Sequence, residues 1–388
     1  MAALSLGSQC IAVSSENETC VVFKSGEIKC LQAPPPRKSK IESNKKSQQN
    51  SKNDMSFQTS YFHLVCSDIS RCQKWLAFTS TSKYLCLWNL QENKLVSNRA
   101  LIRAASQVKF APSGNYIIIA DKAGDVYNYS TQNPLSPGKL ILGHLSVLLD
   151  VLITSDEKFI ITCDRDEKIR TSCFPNCYNI KSFCLGHEEF ITSIKFLPHD
   201  ENILLSISGD GSLRMWNYIK GSQISVYECY KEINNGSLAL TSLCTSINSS
   251  SSSLVCITLD HFKGCLVYKV EGNMKKLTIS LIQILDLPTV PWSIKISNEK
   301  CLWFLSTFEK IKLDVKIWNK ESNKFVNNVD GQTKQIIQII DDQNFNGFEM
   351  SNIFALLYKQ KFDNVQSYLE KKQERINLQL NHKKIKNN

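Results

Sequence analysis

Nowhere does this chain run to the ~20 consecutive apolar residues that a membrane-spanning helix needs. Its first residues show neither the basic region nor the apolar core of a secretory signal. Both absences lead to the expectation of a soluble, intracellular protein with no membrane partner. The fifteen cysteines form no Cys-x-x-Cys pair and no Cys/His set with zinc spacing, which argues against a disulfide framework and a structural zinc site. Also missing are the phosphate-cradling glycine loop, the dinucleotide-binding glycine fingerprint, the zinc-protease helix motif and the nucleophile elbow. The chain is therefore expected to be no enzyme, with no catalytic residue, cofactor or metal of its own. The scattered His63, His199, His261 and His382 have no evident partners and read as surface or core residues.

What is present is an ordinary globular composition, 42% hydrophobic and 21% charged over 388 residues, ample for a large core. The formal charge of +10 leans towards a polyanionic partner. Part of the excess sits in two clusters, Arg37 to Lys52 and Lys371 to Lys386, in segments that read as peripheral, where charge runs are more often solvated tails than binding faces. Cys20, Cys86, Cys163, Cys184, Cys256 and Cys265 fall inside apolar, strand-like runs. They suit buried thiols in a reducing compartment, and the nucleus, with the cytoplasm beside it, is the expected location.

One unit recurs: a short strand, a turn with Gly or Asp, then an alternating strand that ends on an aromatic residue. Its clearest copy runs from Leu204 through Gly209-Asp210-Gly211 to Trp216. Related units end at Trp88, Tyr129, Ser172, Tyr268 and Trp318, and a degenerate first copy ends near Leu31. Spacings of about forty to fifty-five residues match one four-stranded propeller blade with its loops. Seven copies predict a closed, all-β ring over residues 1–345.

Gly143-His144 and Gly186-His187 each open a unit at the distance from the strand end that resembles the WD-repeat family, with Asp166 and Asp210 at the turn position. That resemblance implies a seven-bladed WD-repeat β-propeller. It also implies a structural hydrogen-bonded tetrad of His187, Ser206 or Ser208, Asp210 and Trp216. In the preceding unit Ser172 stands where the Trp is expected, so that blade is read as having exchanged internal packing for surface use.

The run from Cys163 to Ser172 places five mixed charges between β-branched segments. An exposed, merely solvated hairpin is the plain reading of such a run, and a surface built to meet a partner is the other.

Two stretches interrupt the repeats. Residues 32–60, Pro-rich and then Lys/Ser/Asn/Gln-rich, are expected to be a disordered basic insertion, and Ser249 to Ser253 a shorter flexible loop. From Asp363, Val365, Leu369, Ile376 and Leu380 recur at helical spacing, with Asp363 and Gln366 fitting a capping box. Residues 346–388 are thus expected to hold a C-terminal α-helix and a basic tail. One stripe of this helix would pack on the propeller while Lys371, Lys372 and Arg375 either stay solvated or touch RNA.

Leu142 to Val151, Asp164 to Arg170, Ser182 to His187, Ala120 to Tyr127, Leu357-Tyr358-Lys359 and Phe362 to Leu369 resemble the WD-repeat, non-catalytic subunit of the tRNA (guanine-N7-)-methyltransferase. The likeness is strong over residues 115–218 and in the C-terminal helix, and weak elsewhere. It implies a scaffold and activator in a heterodimer, whose separate catalytic subunit binds S-adenosylmethionine and methylates N7 of a guanine in the tRNA variable loop. It further implies that Asp164, Arg165, Asp166, Glu167, Lys168 and Arg170 face that subunit, with Lys122 as a weaker candidate. Lys371, Lys372 and Arg375 become possible tRNA contacts. A general WD-repeat adaptor for chromatin, genome maintenance or ubiquitin ligase assembly is the competing reading.

Overall fold

A computed structural model describes residues 2–15, 18–32, 64–233, 238–307, 309–343, 345–346, 354–359, 365 and 368–377. The expected insertion at 32–60 lies outside the described residues except for Gln32, as do His63, His382, Asp363, Gln366 and Leu380. Within them, 28 strands form seven four-stranded antiparallel sheets, each built from strands consecutive in sequence. Blade one spans residues 2–32, blade two 64–100, blade three 105–143, blade four 148–185, blade five 191–228, blade six 240–286 and blade seven 293–326. No described helix is long and apolar enough to cross a membrane.

Each blade is pressed between two neighbours, so its second strand loses water on both faces. This is why Ile117-Ile118-Ile119-Ala120 and Leu254-Val255-Cys256-Ile257 read as unbroken apolar runs, all of them buried. The six cysteines expected inside strands are buried, and all fifteen are free. Burial pushes the thiols of Cys66, Cys86 and Cys184 up to about 12, so they act as small neutral core residues. His199 does have partners, the Ser253 hydroxyl at 2.6 Å and the Gly272 carbonyl at 3.0 Å. His261 lies 3.6 Å from Asp260.

The structure corrects the sequence reading at three places. Ile28–Gln32 is the outermost strand of blade one, not the third; it pairs with the third strand, Glu18–Phe23, which no Gly or Asp in the preceding residues announces. Ser249 to Ser253 is a tight hairpin, and Ser252 and Ser253 are buried strand residues. The third correction is a helix, α1 (Gly331–Asp342), inside the stretch assigned to the propeller. Asp330 caps it by accepting from the Thr333 N–H at 2.7 Å.

This helix also bears on how the ring closes. Cys10–Ser15 pairs only with Ala2–Leu6 and Glu18–Phe23, so blades one and seven share no strand. Ile336 and Ile340 of α1 instead pack in one cluster with Leu4, Ile11 and Val13 of blade one and Trp303, Leu313 and Val315 of blade seven. Burying each isoleucine is worth about 1.5–3 kcal/mol, and both are spent on the seam.

Candidate docking surface on the rim of blades four and five

Blade five carries a complete hydrogen-bond chain. Trp216 Nε1 donates to Ser206 Oγ at 2.8 Å, Ser206 Oγ lies 2.7 Å from His187 Nε2, and His187 Nδ1 lies 2.9 Å from Asp210 Oδ2. Only Ser206, not Ser208, takes part; Ser208 Oγ donates to the Glu189 carbonyl. Burial holds His187 below its usual pKa, against the pull of Asp210. Burial opposes ionisation of Asp210, but its bonds to His187 and Ser212 win and hold the carboxyl well below the usual carboxylate range. A neutral His187 that donates Nδ1–H to an ionised Asp210 and accepts the Ser206 hydroxyl at Nε2 leaves no donor in the chain unmatched. Trp216, fully buried, packs with Ile161, Cys163 and Ile169 of blade four.

Blade four does the same work with different residues. His144 Nδ1 lies 2.9 Å from Asp164 Oδ2, and His144 Nε2 lies 2.8 Å from Thr162 Oγ1. The partner of this histidine is therefore Asp164 and not Asp166. Counting back from the strand end aligns Asp166 with Asp210, but Asp164, on the last residue of the strand Phe159–Asp164, reaches the ring first. Asp164 is only 2% exposed, and its other oxygen accepts from the Lys168 N–H at 3.0 Å. Its side chain is thus internal, which removes it from the residues that face a partner.

The missing Trp is compensated from within the blade. Arg170 Nε donates to Ser172 Oγ at 2.9 Å, while its two terminal nitrogens donate to the carbonyls of Gly143 and Cys177, each at 3.0 Å. Gly143 ends blade three, so Arg170 ties the seam that a Trp would have filled. Burial lowers the guanidinium pKa from its ordinary value. Internal packing was replaced here, not surrendered, and Arg170 is held rigidly at the rim.

With Asp164 taken inward, Arg165, Asp166, Glu167 and Lys168 are left at the surface. Glu167 has φ +67°, where blades three and five use Gly124 and Gly211, a backbone state that costs a side chain roughly 1–2 kcal/mol. Arg165 Nε is shielded from water without a hydrogen-bond partner, 4.0 Å from Asp166 Oδ1. Beside this hairpin lie two exposed leucines: Leu145, on the loop that follows His144, and Leu185, 62% exposed and paired across the sheet with Lys168. Lys122 is exposed on the neighbouring hairpin of blade three.

One participant was missed in the sequence. Tyr358 Oη donates to the Gly209 carbonyl at 3.0 Å and meets Phe190 edge-on at 4.9 Å, which sets the segment 354–359 across blade five. Lys359 then reaches Glu167 at 2.6 Å and Asp166 at 3.6 Å. The signal was a Tyr-Lys pair before a helix, but no local pattern names an acceptor on a hairpin 192 residues earlier.

Residues 368–377 are helical, and Lys371, Lys372 and Arg375 are exposed on them. Val365, Leu369 and Ile376 of the expected apolar stripe are exposed too, so these three are not buried against the propeller. Among the described residues no group of three or more His, Cys, Asp or Glu is placed to hold a metal ion.

Comparison with known proteins bears on this geometry. The family model described as the tRNA methyltransferase TRM82 WD40 domain matches residues 8–136 and 129–327. The tRNA (guanine-N(7)-)-methyltransferase non-catalytic subunit wdr4 of Danio rerio is 34% identical over 325 residues, covering 81% of this chain and 77% of the relative. The WDR4 subunit of Homo sapiens is 31% identical over 337 residues, covering 84% and 80%. Among solved structures, a chain of the mitotic checkpoint complex superposes with a TM-score of 0.63 at 14% identity, covering 80% of this chain and 85% of that one. U3-55K does so with a TM-score of 0.60 at 17% identity, covering 78% and 86%; these two likenesses speak to the fold alone. The matched residues and the identity to relatives named as non-catalytic subunits place this chain in the TRM82 WD40-domain family of tRNA methyltransferase subunits.

Proposed function

We propose that this chain is the scaffolding and activating subunit of a heterodimeric tRNA (guanine-N7-)-methyltransferase. In this reading the catalytic partner binds S-adenosylmethionine and docks on the rim of blade four. The observation that carries the docking site is the exchange within that blade: Asp164 holds His144, which releases Arg165, Asp166, Glu167 and Lys168 to the surface beside Leu145 and Leu185. Exposed apolar anchors ringed by mixed charge suit a protein interface, where apolar contact supplies affinity and charge supplies register. Arg170 is a pre-positioned member of this surface, and Lys122 extends it towards blade three. The exposed Lys371, Lys372 and Arg375 are read as tRNA contacts in the assembled complex.

The test is co-purification with the catalytic subunit and N7-methylguanosine formation by the pair. Arg165→Glu with Lys168→Glu is the informative variant, because Arg170→Glu would also open the seam between blades. A binding loss of about 2–5 kcal/mol is expected, with the melting temperature of the free subunit nearly unchanged. Full binding and full methylation would place the docking face elsewhere. Neutralising Lys371, Lys372 and Arg375 should make the salt dependence of tRNA binding shallower by about 2–3 in log-log slope.

A further inference from the structure

The seven innermost strands contact one another in a closed ring about the propeller axis. Two aspartates on this ring staple neighbouring blades. Asp68 of blade two accepts from the Phe110 N–H of blade three at 2.8 Å, with Lys109 Nζ 3.7 Å away. Asp150 of blade four takes three donors from blade five in one carboxylate oxygen: Ser193 Oγ at 2.9 Å, the Ile194 N–H at 3.1 Å and Lys195 Nζ at 3.2 Å.

The tripeptide Ser193-Ile194-Lys195 recurs as Ser293-Ile294-Lys295 on the inner strand of blade seven. The preceding blade should then supply a second Asp150. The position is taken by Ser242: it follows the strand's first residue by two, as Asp150 does, and the Ile294 N–H donates to its hydroxyl, at a long 3.4 Å. Serine lacks the carboxylate, so blade seven carries the same Ser-Ile-Lys order on its inner strand as blade five without the anion that gathers those groups there. Neither Ser293 nor Lys295 has a side-chain partner among the described residues.

We propose that the central channel binds a small oxyanion, of the sulfate or phosphate type, between Ser242, Ser293 and Lys295. The charges that act on Lys295 are those of Lys109, Lys195, Asp68 and Asp150, so in this group three lysines stand against two aspartates. With no anion present, burial, followed by the charges of Lys109 and Lys195, pulls the Lys295 ammonium down to about 7. An anion in the cradle restores the charge on Lys295, and its binding therefore takes up a proton near neutral pH.

Sulfate is the probe, since its own charge is constant across this range. Melting temperature is measured in millimolar sulfate against chloride of equal ionic strength, at pH 6.5 and 8.5, for the full chain, Lys295→Met and Ser242→Asp. At ten times the dissociation constant the full chain should gain about 1.5–2 °C at pH 6.5 and less at pH 8.5. Lys295→Met should show no gain, and Ser242→Asp, which carries its own carboxylate, should show none either. No gain in the full chain at pH 6.5, or an equal gain in Lys295→Met, overturns the proposal.

Discussion

Blades four and five are neighbours with the same strand order, and they solve one packing problem in two ways. Blade five spends its turn aspartate, Asp210, on His187 and fills its seam with Trp216. Blade four draws its aspartate from the end of the second strand, Asp164, and fills its seam with Arg170. In blade five the turn is used up by structure. In blade four the turn is left over, with Arg165 to Lys168 at the surface. A repeat fold can thus dedicate one blade to recognition without weakening it, provided that another residue takes up the internal bonds.

The largest expected effect tests the blade-five half of this contrast. Trp216→Ala should cost about 3–5 kcal/mol of stability in denaturant unfolding, whereas Ser172→Ala at the equivalent place in blade four should cost about 1 kcal/mol. Equal costs would mean that Arg170 is not the compensating element. Next comes the choice between the two aspartates of blade four. Asp164→Asn should lose about 1.5–3 kcal/mol and Asp166→Asn no more than about 0.5 kcal/mol, because only the first leaves a buried network incomplete. The docking variant described above completes this pair from the other side, as a large loss of partner binding with little loss of fold.

The smallest effect is read in pH. His187 is held below its unfolded value of about 6.5, so the folded protein resists a proton that the unfolded chain accepts. Stability from this group is fully present above that value and falls as pH drops below it, by up to about 1.4 kcal/mol per unit until the depressed pKa is reached. Asp210, held low, adds a second loss only as pH falls below about 3.9. The difference in unfolding free energy between the parent and His187→Gln should narrow from pH 7.5 to 5.5. A constant difference would show that burial does not set the protonation of His187.

The sequence alone determined the seven-fold repeat, the apolar second strands, the histidine that opens each of blades four and five, and the family resemblance. Those features are local: a period, a strand run or a dipeptide at fixed spacing is written in adjacent residues. Which aspartate meets His144 was not legible, because two carboxylates two residues apart, Asp164 and Asp166, satisfy the same spacing rule and only the path of the strand end separates them. Helix α1 was not read from the sequence, where its residues were assigned to the propeller, and its task could not be read there, since the seam it covers joins residues more than three hundred positions apart. Tertiary structure also decided that Lys359 meets Asp166 and Glu167, and that Ser293-Ile294-Lys295 lacks the carboxylate its twin possesses. Both facts depend on what closure of the ring brings alongside, and a chain read in order has no term for its neighbour in space.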